Sequence, residues 1–108
     1  MESSIVERAV ASYEVVRAAT RRFAFEKGVD AFARILADIP ARPPENFSDE
    51  DFRLLKTVAE GVIECIEQRV DTQKDPGADQ LRLVKALYEI RRDVEVVDRW
   101  HRHEQPQR

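Results

Sequence analysis

The sequence predicts an all-α fold, an elongated antiparallel helical bundle of three long helices and one short helix that is completed by self-association. Charged residues make up 36% of the chain, and only three of its 108 residues are glycine. That composition is typical of helices with extensive charged surfaces. Apolar residues also recur at spacings of three and four, which is the helical period. The length fits a single domain over residues 1–108 with one hydrophobic core.

The first predicted helix spans residues 2–27, a stretch without proline or glycine. Gly28 follows at the position where a left-handed cap often ends a helix. Lys27 stands in the last turn, where a cation suits the helix dipole. The apolar side of this helix comprises Ile5, Ala9, Val16 and Phe23.

A short second helix is predicted over residues 30–39, with Asp30 as its N-cap and Pro40 as its stop. Its apolar face comprises Val29, Phe32, Leu36 and Ile39. Pro43 and Pro44 then favour an extended connector, so residues 40–47 are predicted to be a linker.

The third predicted helix spans residues 48–72 and has the clearest start signal in the chain. Ser48 supplies an N-cap hydroxyl, and three carboxylates follow in the first turn. Its apolar seam comprises Phe52, Leu55, Ala59, Val62 and Ile66, widened by Val58, Ile63 and Val70. This spacing is typical of coiled-coil-like packing.

The fourth predicted helix spans residues 76–101, with Asp75 as cap and Pro76 in the first turn. Its seam comprises Leu83, Leu87, Ile90, Val94 and Val97. The tight turn before it predicts an antiparallel hairpin of the third and fourth helices. The tail, residues 103–108, is predicted to fray.

Helix length predicts a partner for this bundle. A helix of about 25 residues is about 37 Å long, whereas a compact chain of this size has a radius of gyration of about 13 Å. The core is therefore thin, and a second protomer would thicken it. Leu81, Val84 and Tyr88 form a second apolar side on the fourth helix. Either the first and third helices cover that side, or it joins a homodimer, the commonest oligomer.

A row of small residues, Thr57, Gly61 and Cys65, recurs every four positions on the third helix. A glycine inside a helix costs about 1 kcal/mol relative to alanine. Gly61 therefore either stands at a solvated position or lets another helix approach closely. If that helix belongs to a two-fold mate, Cys65 lies near its symmetry copy, and oxidation would link the dimer.

An acidic stripe lies on the same predicted helix and comprises Glu60, Glu64, Glu67 and Asp71. It is interpreted as a solvated face, with docking of a basic protein partner as the functional alternative. Arg17, Arg21 and Arg22 form a basic patch near the end of the first helix. That patch supports an alternative function, a nucleic-acid-binding regulator, although the net charge of −3 disfavours contact with phosphates.

Chemistry-bearing residues are sparse. His101 and His103, with Asp98 and Glu104, are the one cluster of transition-metal ligand types, and positions two apart on a helix point about 200° away from each other. Di-iron bundles use a Glu-x-x-His motif, which this chain lacks. No catalytic, cofactor-binding or metal-binding residue is assigned, although a cofactor- or metal-binding bundle remains the third hypothesis.

The expected environment is the cytoplasm. The lone cysteine cannot close an intrachain disulfide, which fits a reducing compartment. Charges at Glu7 and Arg8 interrupt any signal-peptide core, and no stretch approaches the roughly 18 apolar residues of a membrane span. The sequence thus predicts a small non-enzymatic protein-protein interaction module, with a regulatory, adaptor or structural role, that forms a homodimer.

Overall fold

Four helices surround the hydrophobic core in the computed structural model, which describes residues 5–70 and 78–104. The elements are α1 (Ile5–Ala18), α2 (Arg22–Ala41), α3 (Asp49–Arg69), α4 (Ala78–Arg99) and a π-helical turn (Trp100–Glu104) that extends α4. No strand occurs in the described ranges. The predicted all-α class is confirmed.

The helices form two hairpins that stack on each other. α1 and α2 run antiparallel, with Val16 facing Gly28, and α3 and α4 run antiparallel, with Glu67 bonded to Arg91. α1 packs on α3 and α2 packs on α4. The principal extents are 47 × 28 × 19 Å and the radius of gyration is 14.3 Å, slightly above the roughly 13 Å of a compact chain of this length. The bundle is therefore moderately elongated.

Adjacent helices of different hairpins run parallel, because Tyr13 of α1 lies over Gly61 of α3 while Ala19, just after α1, meets Arg69 at the end of α3. The antiparallel arrangement thus holds within each hairpin and not between them. The connection from α2 to α3, residues 42–48, spans up to about 23 Å when extended. That length lets the connection cross the end of the bundle from α2 to α3, which lies diagonally opposite α2.

The predicted continuous helix over residues 2–27 is wrong, because the chain leaves the helix after Ala18 and reverses. Arg21 is extended (φ −110°, ψ 145°) and α2 begins at Arg22. Arg69 of α3 donates a hydrogen bond of 2.5 Å to the carbonyl of Ala19. This contact satisfies a carbonyl left open at the end of α1, where helices lack internal partners, and so stabilises the break.

The predicted helix over residues 30–39 is wrong as a separate element and forms the second half of α2. Gly28 is not a C-terminal cap, and Asp30 is not an N-cap, since both lie inside this helix. Gly28 is buried against α1, so its missing side chain serves close helix packing. The predicted apolar face is confirmed, because Val29, Phe32, Leu36 and Ile39 are all buried.

The linker begins two residues later than predicted. Pro40 lacks an amide hydrogen but its fixed φ fits a helix, and α2 continues to Ala41. Asn46 adopts a left-handed conformation (φ 58°), which asparagine tolerates better than most residues. The turn directs Phe47 into the core, where it is buried.

The start of α3 matches its prediction. The Ser48 hydroxyl accepts from the Asp51 amide at 3.0 Å, and the Asp51 carboxylate accepts from the Ser48 amide at 3.1 Å. This reciprocal capping box satisfies two amides that the helix leaves open. α3 ends at Arg69, three residues before the predicted end.

The seam of α4 is buried at Leu83, Leu87, Ile90 and Val97, and half-buried at Val94. The π-helical turn continues through Glu104, two residues into the segment predicted to fray. The predicted helix start at Asp75 and Pro76, and the tail beyond Glu104, lie outside the described residues.

Candidate interaction surfaces

Aromatic rings close the end of the bundle where α3 begins and α4 ends. The ring centroid of Phe47 lies 5.5 Å from that of Trp100 and 5.5 Å from that of His101. Phe52 stacks on the other side of His101 at 5.4 Å. Trp100 is buried here.

Of the predicted cluster of metal-ligand types, His101 takes part in this packing. Nε2 of His101 lies 2.6 Å from Oδ1 of Asp49, and Asp98 accepts a 2.8 Å hydrogen bond from Arg102. His103 is exposed. Within residues 5–70 and 78–104, no group of three or more histidine, cysteine or carboxylate side chains is placed to hold a metal ion.

Gly61, in the middle of the small-residue row of α3, faces α1 of the same chain. A Cβ atom placed on Gly61 would stand 2.7 Å from Cε1 of Tyr13. Thr57 donates a 3.0 Å hydrogen bond to the carbonyl of Arg53, and Cys65 is half-buried. The close approach considered for Gly61 therefore exists. The group that approaches Gly61 is Tyr13 of the same chain, where the prediction had considered a second protomer.

Cys65 is expected to react slowly in the folded protein. Burial raises the pKa of its thiol, Glu64 raises it further, and Arg69 and Arg17 oppose the rise. Because the thiolate is the nucleophile, iodoacetamide at about pH 8 should alkylate the native chain several-fold more slowly than the urea-unfolded chain, with the native rate still rising at higher pH. Equal rates in both states would show that Cys65 is freely solvated.

The outer side of α4 is open. Tyr88 is 64% exposed and Leu81 is 54% exposed, whereas Val84 is half-buried against the core. Lys85 and Arg92 follow Leu81 and Tyr88 at four residues and are exposed on the same side. The three predicted interface residues thus form an apolar strip set among cations.

A second apolar surface lies on the outside of the α1–α2 hairpin. We define the α1–α2 face as the groove between these helices, about 350 Å³, together with the adjoining Phe23. The groove is lined by Ala11, Ser12, Val15, Ala24, Gly28 and Ala31, with Lys27 as the charged residue among its described lining. Phe23 is 75% exposed and Val15 is 50% exposed. The ammonium of Lys27 lies 5.7 Å from the Phe23 ring centroid, so the ring stands beside the groove.

A groove of about 370 Å³ between α3 and α4 contains part of the acidic stripe. Its floor comprises Phe52, Ala59, Ile63 and Val94, and its charged rim comprises Lys56, Glu60, Arg91, Glu95 and Asp98. Glu67 forms an ion pair with Arg91, and Glu64 is exposed. Asp71 lies outside the described residues. The stripe faces outward as predicted, but Glu67 already has a basic partner within the chain.

The basic patch lies at the junction of α1 and α2. Arg17 pairs with Glu14 at 3.0 Å, and Arg22 pairs with Glu26 at 3.7 Å. Arg21 is exposed at the N-cap of α2. Two of the three arginines therefore lie beside a carboxylate of their own helix, which reduces the positive potential of the patch.

None of the helices in the described part of the chain combines the length and apolar character that a membrane crossing requires. In comparisons with known proteins, the chain matches no family model, no curated protein and no solved structure.

Proposed function

We propose that this chain is a small non-enzymatic protein-protein interaction module of the cytoplasm, with a regulatory, adaptor or structural role, and that it self-associates. The observation that carries the proposal is the set of large apolar side chains left exposed outside a filled core. Single exposed apolar residues are ordinary on soluble proteins. Here Val15 and Phe23 adjoin one groove, and Leu81 and Tyr88 share one side of α4. Contiguous exposed apolar surface is characteristic of interaction sites.

The core itself does not depend on a partner. Large side chains from the helices, including Phe25, Leu36, Leu55 and Ile90, are fully buried within one chain. A second protomer would therefore cover outer surface and would not complete the core. The proposed assembly is a homodimer of chains that are each already folded.

The acidic α3–α4 groove supports a further partner of basic character. Glu60, Glu95 and Asp98 outnumber Lys56 and Arg91 on its rim. The alternative function, nucleic-acid binding, has less support, because carboxylates beside Arg17 and Arg22 would repel phosphates.

Sedimentation velocity tests the proposal. Over about 1 to 200 µM protein, the weight-average mass should rise from that of one chain towards twice that value, because a modest apolar interface gives roughly micromolar affinity. In parallel, random duplex DNA at about physiological salt should bind no more tightly than it binds other acidic proteins. A monomer at every concentration, together with micromolar DNA binding that weakens when Arg17, Arg21 and Arg22 become alanine, would favour the nucleic-acid function instead.

A further inference from the structure

We infer that the turn between α1 and α2 is a hinge, and that its opening lets α1 of one chain take the place of α1 on a second copy. The surface that receives α1 is formed by α2 and α3, so its second occupant is the same helix of another molecule. This exchange goes beyond the proposed dimer of folded chains, because it replaces a helix of the bundle and leaves the outer surfaces as they are.

The turn contains no residue that prevents a helix. Residues 19–21 are alanine, threonine and arginine, and helix resumes at Arg22. Glycine commonly marks the turn of a helical hairpin, whereas alanine and arginine are strong helix formers and threonine is a moderate one. A connection this short between two packed helices favours exchange between molecules. The sequence of the turn is therefore compatible with an open, continuous helix.

The closed turn also leaves backbone groups that a continuous helix pairs. Arg21 is the N-cap of α2, and its side chain forms no capping hydrogen bond. In a continuous helix, the amides of residues 22–24 bond to the carbonyls of residues 18–20, four positions earlier. Rotation of the backbone at residues 19–21 converts one form into the other. The hydrogen bonds gained in the open form offset part of the cost of opening.

Arg69 of α3 acts as the latch of the closed form. Its guanidinium donates a 2.5 Å hydrogen bond to the carbonyl of Ala19 and lies 4.0 Å from the centroid of the Phe25 ring. In the continuous helix, the carbonyl of Ala19 accepts instead from the amide of Phe23. Opening of the hinge thus replaces a contact across the bundle with a bond inside one helix.

α1 is the helix suited to exchange because it is held less firmly than its neighbours. It buries three residues, Val6, Ala9 and Val16, and none of them is larger than valine. α2 buries seven residues, including two phenylalanines, and α3 buries five. Release of α1 therefore exposes less apolar surface than release of either helix that it covers.

The geometry of the bundle fits a two-fold exchange. When the hinge opens, residues 5–41 form one helix about 55 Å long. Since α1 is antiparallel to α2, two such helices pair antiparallel about a two-fold axis at residues 19–21, and each α1 lies on α2 and α3 of the other copy. The contacts of Val16 with Gly28 and of Tyr13 with Gly61 then form between chains. Each bundle keeps its core.

Refolding at high protein concentration tests the exchange. The chain is unfolded in urea, refolded at about 500 µM in about 0.5 M salt, which screens the exposed arginines of the turn, and then diluted onto a gel-filtration column. The exchanged dimer should persist for about hours after dilution, because its separation requires α1 to leave the partner's core. A dimer of folded chains with micromolar affinity should dissociate on dilution.

Arg22→Pro distinguishes the closed form from the open form. Proline fits the closed turn, because position 22 is the first of α2 and Arg21 before it is extended (φ −110°, ψ 145°). In a continuous helix, proline removes the hydrogen bond to Ala18 and clashes with the preceding turn, so the yield of long-lived dimer should fall at least about tenfold. The control Arg22→Ala should match the wild type within about twofold. Arg69→Ala should raise the yield about several-fold, because the closed turn loses its latch.

A disulfide between α1 and α2 identifies the chain that supplies α1. A Cβ atom at Gly28 would stand 2.9 Å from Cγ2 of Val16, and therefore at most about 4.4 Å from the Cβ atom of Val16. Disulfides join Cβ atoms about 3.5 to 4.5 Å apart. In the variant Val16→Cys, Gly28→Cys and Cys65→Ser, oxidation of the exchanged dimer should link two chains on a non-reducing denaturing gel. Oxidation of the monomer, or of a dimer of folded chains, should give single chains.

The outcomes separate this exchange from the proposed function. Linked chains in the long-lived dimer, together with its loss in Arg22→Pro and not in Arg22→Ala, support the exchange. A long-lived dimer that persists in Arg22→Pro, or whose chains separate on the gel, overturns it. The absence of any long-lived dimer from the refolded wild type also overturns the exchange, whereas a dimer that dissociates on dilution still supports self-association by outer surfaces. An unchanged yield in Arg69→Ala contradicts the latch.

Discussion

Phe32→Ala is expected to remove a large part of the stability of this fold. The Phe32 side chain is fully buried in α2, and truncation of a buried phenylalanine costs about 3 to 5 kcal/mol through lost burial and the cavity left behind. Domains of this size are stable by about 5 to 15 kcal/mol. The variant should therefore unfold at a much lower urea concentration than the wild type. Trp100 is the single tryptophan and is buried, so its fluorescence reports the transition.

Phe23→Ala is the matched control on the same helix. Phe23 is 75% exposed, and surface substitutions usually change the free energy of unfolding by no more than about 0.5 kcal/mol. The comparison should be made at a protein concentration too low for self-association. A continuous helix over residues 2–27 places Phe23 on the inner stripe. A large loss of stability from Phe23→Ala would thus support that continuous helix and contradict the turn between α1 and α2.

The second hairpin could be predicted from sequence because its signals are local. The Ser48 capping box and the three-and-four spacing on α3 and α4 each depend on residues within a few positions. Leu55, Val62, Leu87 and Ile90 accordingly lie in the core as predicted. The exposure of Leu81 and Tyr88 also follows from their position off the seam.

The first hairpin could not be predicted in the same way. The turn at residues 19–21 contains alanine, threonine and arginine, with no glycine or proline to mark it. A contact from a residue fifty positions away, Arg69 to the Ala19 carbonyl, supports it. Tertiary packing has overridden local propensity there. The α1–α2 face was missed for the same reason, since it exists only once the chain reverses.

Gly28 marks the difference between the two interpretations, because its role changes with the turn. As a C-terminal cap, glycine would be required for a left-handed backbone conformation. Inside α2, glycine is required because α1 packs closely against it. A Cβ atom at Gly28 would stand 2.9 Å from Cγ2 of Val16, 3.1 Å from Cγ1 of Val15 and 3.3 Å from the backbone nitrogen of Val16. Val16 is buried, so its methyl group cannot move aside without disturbing the core.

Gly28→Ala should therefore destabilise the protein despite the better helix propensity of alanine. Overpacking costs about 1 to 3 kcal/mol, and the propensity gain of about 1 kcal/mol offsets part of it, leaving a net loss of up to about 2 kcal/mol. Gly28→Leu should cost at least about 3 kcal/mol, because the larger side chain forces α1 away from α2. Urea denaturation followed by Trp100 fluorescence measures both.

Gly61→Ala is the control, since Gly61 also lies inside a helix and also meets a side chain of α1. The contact at 2.7 Å is with the far end of the Tyr13 ring, and Tyr13 is only half-buried. The ring can rotate towards solvent at little cost, so the propensity gain should leave stability unchanged or raised by up to about 1 kcal/mol. If Gly28→Ala instead stabilised the protein as much as Gly61→Ala, the two helices would not pack at Gly28. The hairpin of α1 and α2 would then be wrong.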